Sequence, residues 1–294
     1  MIARRTFLQG AIALAASPSL ASTPSQGSQT IDTHAHVFRR DLPVAERRRY
    51  TVDYDALPHD YLAMLRATGM GHGVLIQPSF LGFDNSYLLA VLARNKGLLR
   101  GIVALRRETT PAEMMHLKDV GVAGIRLNLI GRGDPDFSAP EWRAHLDAVA
   151  ALGWQIEVQC EAARLQVLMP GLLASGAPVV IDHFGRPGAG LGIEDPGFRY
   201  LLTTADSGRA YVKLSAPYRL GEGIADAAAP LLLSAFGPER LLWGSDWPHT
   251  QYETRADAHQ CRQALDRWVP DEAQRKTILT STPTRLFDFP LSKV

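Results

Sequence analysis

From residue 29 onward the chain alternates two patterns of apolar and polar positions. Short β-branched or apolar runs are each followed by a longer segment of helical period. The runs are Thr30–Thr33, Gly73–Gln77, Arg100–Ala104, Gly124–Leu129, Trp154–Val158, Pro178–Asp182, Tyr211–Leu214 and Arg240–Gly244. Helices are expected at Pro58–Ala67, Ser86–Asn95, Pro111–Asp119, Pro140–Leu152, Ala162–Leu173, Phe198–Ala205 and Ala225–Phe236. Arg255–Trp268 follows the last run, and Asp271–Leu279 adds a final helix. Runs that are apolar throughout are buried on both faces, as parallel strands are. Eight such units in roughly 260 residues predict an α/β protein, a single (β/α)8 TIM barrel. The rival is a doubly wound open sheet, but no G-x-G-x-x-G turn follows the first run. No repeat or linker divides residues 30–294, which are read as one domain.

The first 29 residues break this pattern. Arg4-Arg5 precedes Thr6-Phe7-Leu8, a short Ala/Ile/Leu stretch spans Ala11 to Ala16, and Ser19-Leu20-Ala21 leads into a polar tract. A charged start, a short apolar stretch and a small-x-small site describe a signal peptide. The paired arginines resemble the twin-arginine type. An N-terminal amphipathic helix is the plainer alternative, but Ser17 to Gln29, with Pro18 and Pro24, is too polar to pack. Residues 1–29 are therefore expected to be a signal peptide and linker, recognised by the twin-arginine export machinery. The mature chain would begin near Ser22 and work in the periplasm.

Composition narrows the function classes. The 294 residues are 46% hydrophobic and 21% charged, an ordinary globular balance. Lys+Arg at 31 against Asp+Glu at 30 leaves +1, which gives no bulk attraction for nucleic acid or an anionic membrane. No run of about 18 apolar residues occurs, so no membrane anchor is expected in the mature form. The two cysteines, Cys160 and Cys261, exclude a disulfide framework and a structural CxxC zinc site. Both read as buried small apolar residues, although export leaves a disulfide open.

A parallel barrel carries its active site at the C-terminal ends of its strands. The first run ends Asp32-Thr33-His34-Ala35-His36 and the second ends Gln77-Pro78-Ser79. Arg126 and Asn128 lie in the fourth, with Arg132 in the loop beyond; Glu157, Gln159 and Glu161 alternate along the fifth. The last three end Asp182-His183-Phe184-Gly185-Arg186-Pro187, Ser215-Ala216-Pro217-Tyr218-Arg219 and Gly244-Ser245-Asp246-Trp247-Pro248-His249. Residues i and i+2 of a strand share a face, so His34 and His36 aim together into the mouth. His-x-His alone is a weak signal. Its coincidence with Asp-His and Asp-Trp-Pro-His at other strand ends makes it a strong one.

These three motifs resemble the amidohydrolase superfamily, its amidohydrolase-2 branch, and within it the 2-pyrone-4,6-dicarboxylate lactonase group. The similarity runs from Ile31 to the closing segment Ser281-Thr282-Pro283-Thr284-Arg285-Leu286-Phe287. The resemblance implies a catalytic cluster of His34, His36, His183 and Asp246. It implies substrate contacts from Tyr50, Ser79, Arg126, Arg132 and Arg219, and a small anionic lactone as substrate. Gln159 takes the substrate-binding position at which that group has a tyrosine, so an amide replaces an aromatic hydroxyl beside the ring.

The superfamily commonly uses divalent ions. Here the fourth run has no lysine and the fifth no histidine, which argues against a two-metal site. A single zinc held by His34, His36 and Asp246 is open, since three ligands plus water is a catalytic pattern. The lactonase group works without metal, and no required cofactor is the expectation. Asp246 is the expected general base, with its pKa raised in a partly dry mouth. The alternative for Asp246 is a helix cap ahead of Pro248. The histidines, His183 first, would polarise the carbonyl. Arginine forks suit substrate carboxylates, although Arg132 also suits a surface ion pair, and Arg186 is expected to tie its own loop. His249 is expected behind the site. His59, His72, His116, His145 and His259 read as surface or packing residues. Trp243 and Trp247 suit either pocket or core. An aldaric-acid lactone isomerase, a metal-dependent decarboxylase and a periplasmic carboxylate-binding protein are the competing readings.

Overall fold

The computed structural model describes residues 29–290. The expected signal segment, apart from Gln29, lies outside them. Eight parallel strands follow one another around a single sheet: β1 (Ile31–Ala35), β2 (His72–Ile76), β3 (Leu99–Val103), β4 (Val122–Asn128), β5 (Gln155–Gln159), β6 (Val179–Ile181), β7 (Ala210–Ser215) and β8 (Leu241–Gly244). Beyond β8, the chain closes the ring on β1. Asp246 N donates to His34 O at 2.8 Å and His36 N to Trp247 O at 2.8 Å. Each expected run overlaps an observed strand, with ends that differ by up to two residues, and the fold is the (β/α)8 barrel.

The outer helices are α1 (Pro58–Ala67), α2 (Ser86–Arg94), α3 (Pro111–Val120), α4 (Pro140–Ala151), α5 (Leu165–Leu173), α6 (Pro196–Thr203), α7 (Ile224–Phe236) and α8 (Ala258–Trp268). Four of them (α1, α3, α4 and α6) begin on proline, whose fixed φ and missing N–H suit the first turn. Thr110 and Glu113 form a reciprocal capping box on α3, and Gly121 ends it in the left-handed region. Helix α6 starts two residues before the expected Phe198, because Asp195 caps it by accepting from Gly197 N at 2.8 Å. Helix α8 starts three residues after the expected Arg255, with Asp257 as its cap. The expected Asp271–Leu279 helix divides into α9 (Glu272–Lys276), a wider turn over Thr277–Ser281 and α10 (Thr282–Leu286).

Side chains that leave the strands outward meet the helices in one large apolar layer. Those pointing inward form two different zones. The lower interior is apolar: Ile31, Val74, Ile76, Ile102, Val180 and Leu242 meet Leu286, Phe287 and Phe289 from the tail. Each such side chain contributes about 1.5–3 kcal/mol by leaving water. Arg100 fastens the tail, donating to Phe287 O at 3.2 Å and Asp288 O at 2.6 Å. The upper interior is polar and charged. Gly244 belongs to its seam: a Cβ there would lie 2.5 Å from His34 Cβ and 2.9 Å from His34 N. Only glycine lets β8 approach β1 closely enough to seat His34.

Candidate active site

The sequence motifs converge at the C-terminal mouth. The rings of His34 and His36 lie 5.0 Å apart and those of His34 and His183 4.9 Å apart. Both His34 Nε2 and His36 Nε2 are 3.6 Å from Asp246 Oδ1. All four residues are buried. The backbone is left-handed at His183, Phe184, Arg186, Ala216, Asp246 and His249, none of them glycine. Such strain, of order 1–3 kcal/mol per residue, gathers where a site demands it. It turns Asp246 back under the histidines. Asp246 caps no helix, because α8 begins twelve residues later at Ala258.

The two oxygens of Asp246 differ. Oδ2 accepts from Tyr218 Oη at 2.6 Å and Arg219 Nε at 2.7 Å. Oδ1 is buried and has no hydrogen-bond partner. Burial alone would raise this pKa. The Arg219 charge outweighs it and holds the carboxyl well below its ordinary range. This corrects the expectation of a raised pKa: the close guanidinium decides, and Asp246 is firmly ionised. Burial also keeps the imidazoles neutral, pulling His183 down to about 3 and lowering His34 and His36.

Hydrogen bonds orient each ring. His36 Nδ1 lies 2.8 Å from the Ile76 carbonyl, which can only accept. The His36 proton is therefore on Nδ1, and Nε2 presents a lone pair beside Asp246. His183 Nδ1 faces Ser215 Oγ at 2.8 Å. Asp32 braces the seam from behind, accepting from Ser245 N and Oγ, His34 N and Tyr61 Oη. Desolvation outweighs those bonds and raises its pKa to about 6.

Below the histidines lies a buried charge cluster. Arg126 Nη2 donates to Gln159 Oε1 at 2.9 Å and to Asp182 Oδ2 at 3.2 Å, and its Nε is 3.7 Å from Glu157. Gln159 Oε1 also accepts from Asn128 at 2.8 Å. Lys213, fully buried on β7, bonds to Glu157 and lies 3.6 Å from Asp182. Sequence reasoning missed Lys213. Its signal was a lysine inside the apolar run Tyr211-Val212-Lys213-Leu214, the same anomaly that marked Arg126. Tyr218, beside Arg219, was also passed over. Glu161 turns away to Arg164 at 3.0 Å.

The expected substrate residues divide by what already holds them. Arg126 and Arg219 are committed to acidic partners, and Arg219 Nη2 also donates to Thr250 O at 3.1 Å. Arg132 is exposed and makes no ion pair among the described residues. With Ser79, Phe83, Arg106, Arg126 and Asn128 it lines a cavity of about 340 Å³. Tyr50 packs edge-on against Phe80, with Arg49 over its ring. Among the described residues, the Arg186 side chain makes no hydrogen bond or ion pair that ties its loop. The backbone does that, with Ala162 N donating to Arg186 O at 3.1 Å, and the buried Nε has no partner. Desolvation and the nearby Arg219 charge lower its pKa. Trp243 belongs to the core, and His249 packs against Tyr218 behind Asp246. Cys160 and Cys261 are both free and buried.

His34, His36 and Asp246 each offer a ligand atom within 4.8 Å of the others. By residue type and spacing they suit one divalent ion, which would polarise a carbonyl or acidify a water.

Known proteins agree with this architecture. Residues 31–289 match the family described as amidohydrolase, and the chain belongs to it. It is 34% identical over 272 residues to 4-sulfomuconolactone hydrolase of Rhizobium radiobacter, covering 87% of this chain and 89% of that protein. A crystal structure from Pseudomonas putida, described as a 2-pyrone-4,6-dicarboxylic acid hydrolase, is 42% identical with a TM-score of 0.84, covering 90% of this chain and 99% of the other. One from Acinetobacter baumannii, described as the same kind of hydrolase and holding citric acid, is 37% identical with a TM-score of 0.86, covering 89% and 100%.

Proposed function

We propose that this enzyme hydrolyses a lactone bearing carboxylate or sulfonate groups. The observation that carries this reading is Asp246, an ionised carboxylate with one oxygen clamped and the other free beside two histidine nitrogens. A water donates one O–H to Asp246 Oδ1 and the other to the His36 Nε2 lone pair. Its own lone pair then faces the lactone carbonyl. As the C–O bond forms, the proton passes to Asp246. N–H groups of His34 and His183 meet the oxyanion, with Ser215 donating to His183 Nδ1. Collapse breaks the ring C–O bond, and Asp246 returns its proton to the leaving oxygen. One water is added, and the new carboxylic acid ionises.

The hydrolases named above, and the polyanion held by one of them, support an anionic lactone. Arg132 and Arg186, with few partners of their own, would grip its charged groups, and Arg126 would add its field from below. The test is proton release on addition of carboxylated and sulfonated lactones to the purified enzyme. We expect turnover with release of acid, lowered by roughly 10³-fold in Asp246→Asn. Ring rearrangement without acid release would make the enzyme an isomerase, and no turnover of any anionic lactone would overturn the reading.

We also propose that residues 1–29 direct twin-arginine export to the periplasm. N-terminal sequencing should find the mature protein beginning near Ser22. Protein beginning at Met1 and confined to the cytosol would refute it.

A further inference from the structure

Lys213 is fully buried, lies deep in the barrel and carries a charge that no substrate residue explains. Its Nζ has three acceptors around it: Glu157 Oε2, His34 Nδ1 at 3.1 Å and Asp182 Oδ1 at 3.6 Å. An ammonium has three N–H donors and no lone pair. His34 Nδ1 also lies 3.3 Å from Asp182 Oδ1 and 3.4 Å from Glu157 Oε1. Both oxygens lie farther from the ring nitrogen than Lys213 Nζ does, and Asp182 competes as an acceptor that raises the His34 pKa against the effect of burial. The nearest group is Lys213, and as an ammonium it can only donate.

We propose that Lys213 is a positioning residue that sets the tautomer of His34. Facing an N–H donor, His34 Nδ1 must accept, and the ring proton sits on Nε2. That atom is buried, unpartnered and 3.6 Å from Asp246 Oδ1. Lys213 thus makes His34 a hydrogen-bond donor at the reacting carbonyl, opposite in sense to His36, which presents a lone pair. One His-x-His pair thereby supplies an acceptor for water and a donor for the oxyanion.

The same lock bears on metal. A ligating imidazole must offer an unprotonated nitrogen. His36 Nε2 meets that condition. His34 Nε2 does not while Lys213 faces its Nδ1, so the trio that suits an ion by spacing fails by tautomer. Asp182 stays ionised among Lys213, Arg126 and His34, while burial raises the Glu157 pKa to about 7.

The inference rests on the lactone hydrolase reading for its catalytic meaning, but its first test needs no substrate. Tautomer-specific ¹⁵N shifts of His34, assigned by comparison with His34→Gln, should show Nε2 protonated and Nδ1 bare in the native enzyme. The reverse pattern overturns the proposal whatever the substrate proves to be. The second test is the charge-balanced variant Lys213→Met/Glu157→Gln. Without the ammonium, His34 Nδ1–H can turn to Asp182 and free Nε2. We expect the ¹⁵N pattern to invert and kcat to fall roughly a hundredfold, as for loss of one oxyanion donor, with KM changed far less. We also expect the variant to hold about one equivalent of zinc that His34→Gln removes. A folded variant that keeps the native tautomer and kcat refutes the proposal, as does equal His34-dependent zinc uptake by the native protein. Should the variant not fold, the native ¹⁵N spectrum alone decides.

Discussion

The lower and upper halves of the barrel interior are built by the same strands with opposite chemistry. On β7, Tyr211 stands in the apolar lower zone, Lys213 in the charge cluster, and Ser215 against His183. On β6 and just beyond it, Val180 lies below and Asp182 above. The lower zone needs only volume, and the tail seals it with Phe287 and Phe289. The upper zone needs every charge matched, because an unpaired buried ion is far more costly than a missing methyl group. Stability is therefore non-directional below and specific above, and His34 Nε2 and Asp246 Oδ1, on which the proposed reaction draws, are among the upper-zone atoms that have no partner. The balance of whole-chain charge at +1 hides this local order.

This contrast can be broken from either side. The largest effect is expected for Asp246→Asn, which should lower kcat by roughly 10³-fold while thermal unfolding stays within a few degrees. Next comes Leu242→Ala in the lower zone. It should cost about 2–5 kcal/mol in denaturant unfolding and leave kcat of the folded fraction near normal. A large loss of kcat there would mean that the two zones are mechanically coupled. Arg132→Met should raise KM for an anionic lactone roughly tenfold, because a charge-assisted bond is lost. Its unfolding free energy should move by no more than about 0.5 kcal/mol. An unchanged KM would remove Arg132 from the substrate site. The smallest effect is Asp195→Ala, outside both zones. Loss of the α6 cap should cost about 1 kcal/mol and leave KM and kcat unchanged.

Much of the frame was legible in the sequence for local reasons. Prolines at 58, 111 and 140 mark helix starts because their φ is already helical and their N–H is not needed. Apolar runs reveal strands covered on both faces. Where a cap replaced the apolar signal, at Asp195 and Asp257, the expected start was off by two or three residues. The candidate site was legible as a set of motifs but not as a set of roles. Arg126 interrupts a strand and invites a ligand, yet its Nη2 is taken by Gln159 and Asp182. Arg186 looked structural, yet its buried Nε is unpartnered.

The sequence alone determined the order of strands and helices, the register that brings His34 and His36 to one place, and the chemical types at the mouth. These follow from periodicity and from the i, i+2 rule, which act within a few residues. Tertiary structure alone decided which atoms remain free. Lys213 meets His34 across 179 positions, and Tyr218 and Arg219 meet Asp246 across 28 and 27. Tautomer, pKa and unpaired lone pairs depend on distances of a few ångströms between such partners, because electrostatic and hydrogen-bond energies fall away over that range. No local pattern along the chain encodes those distances.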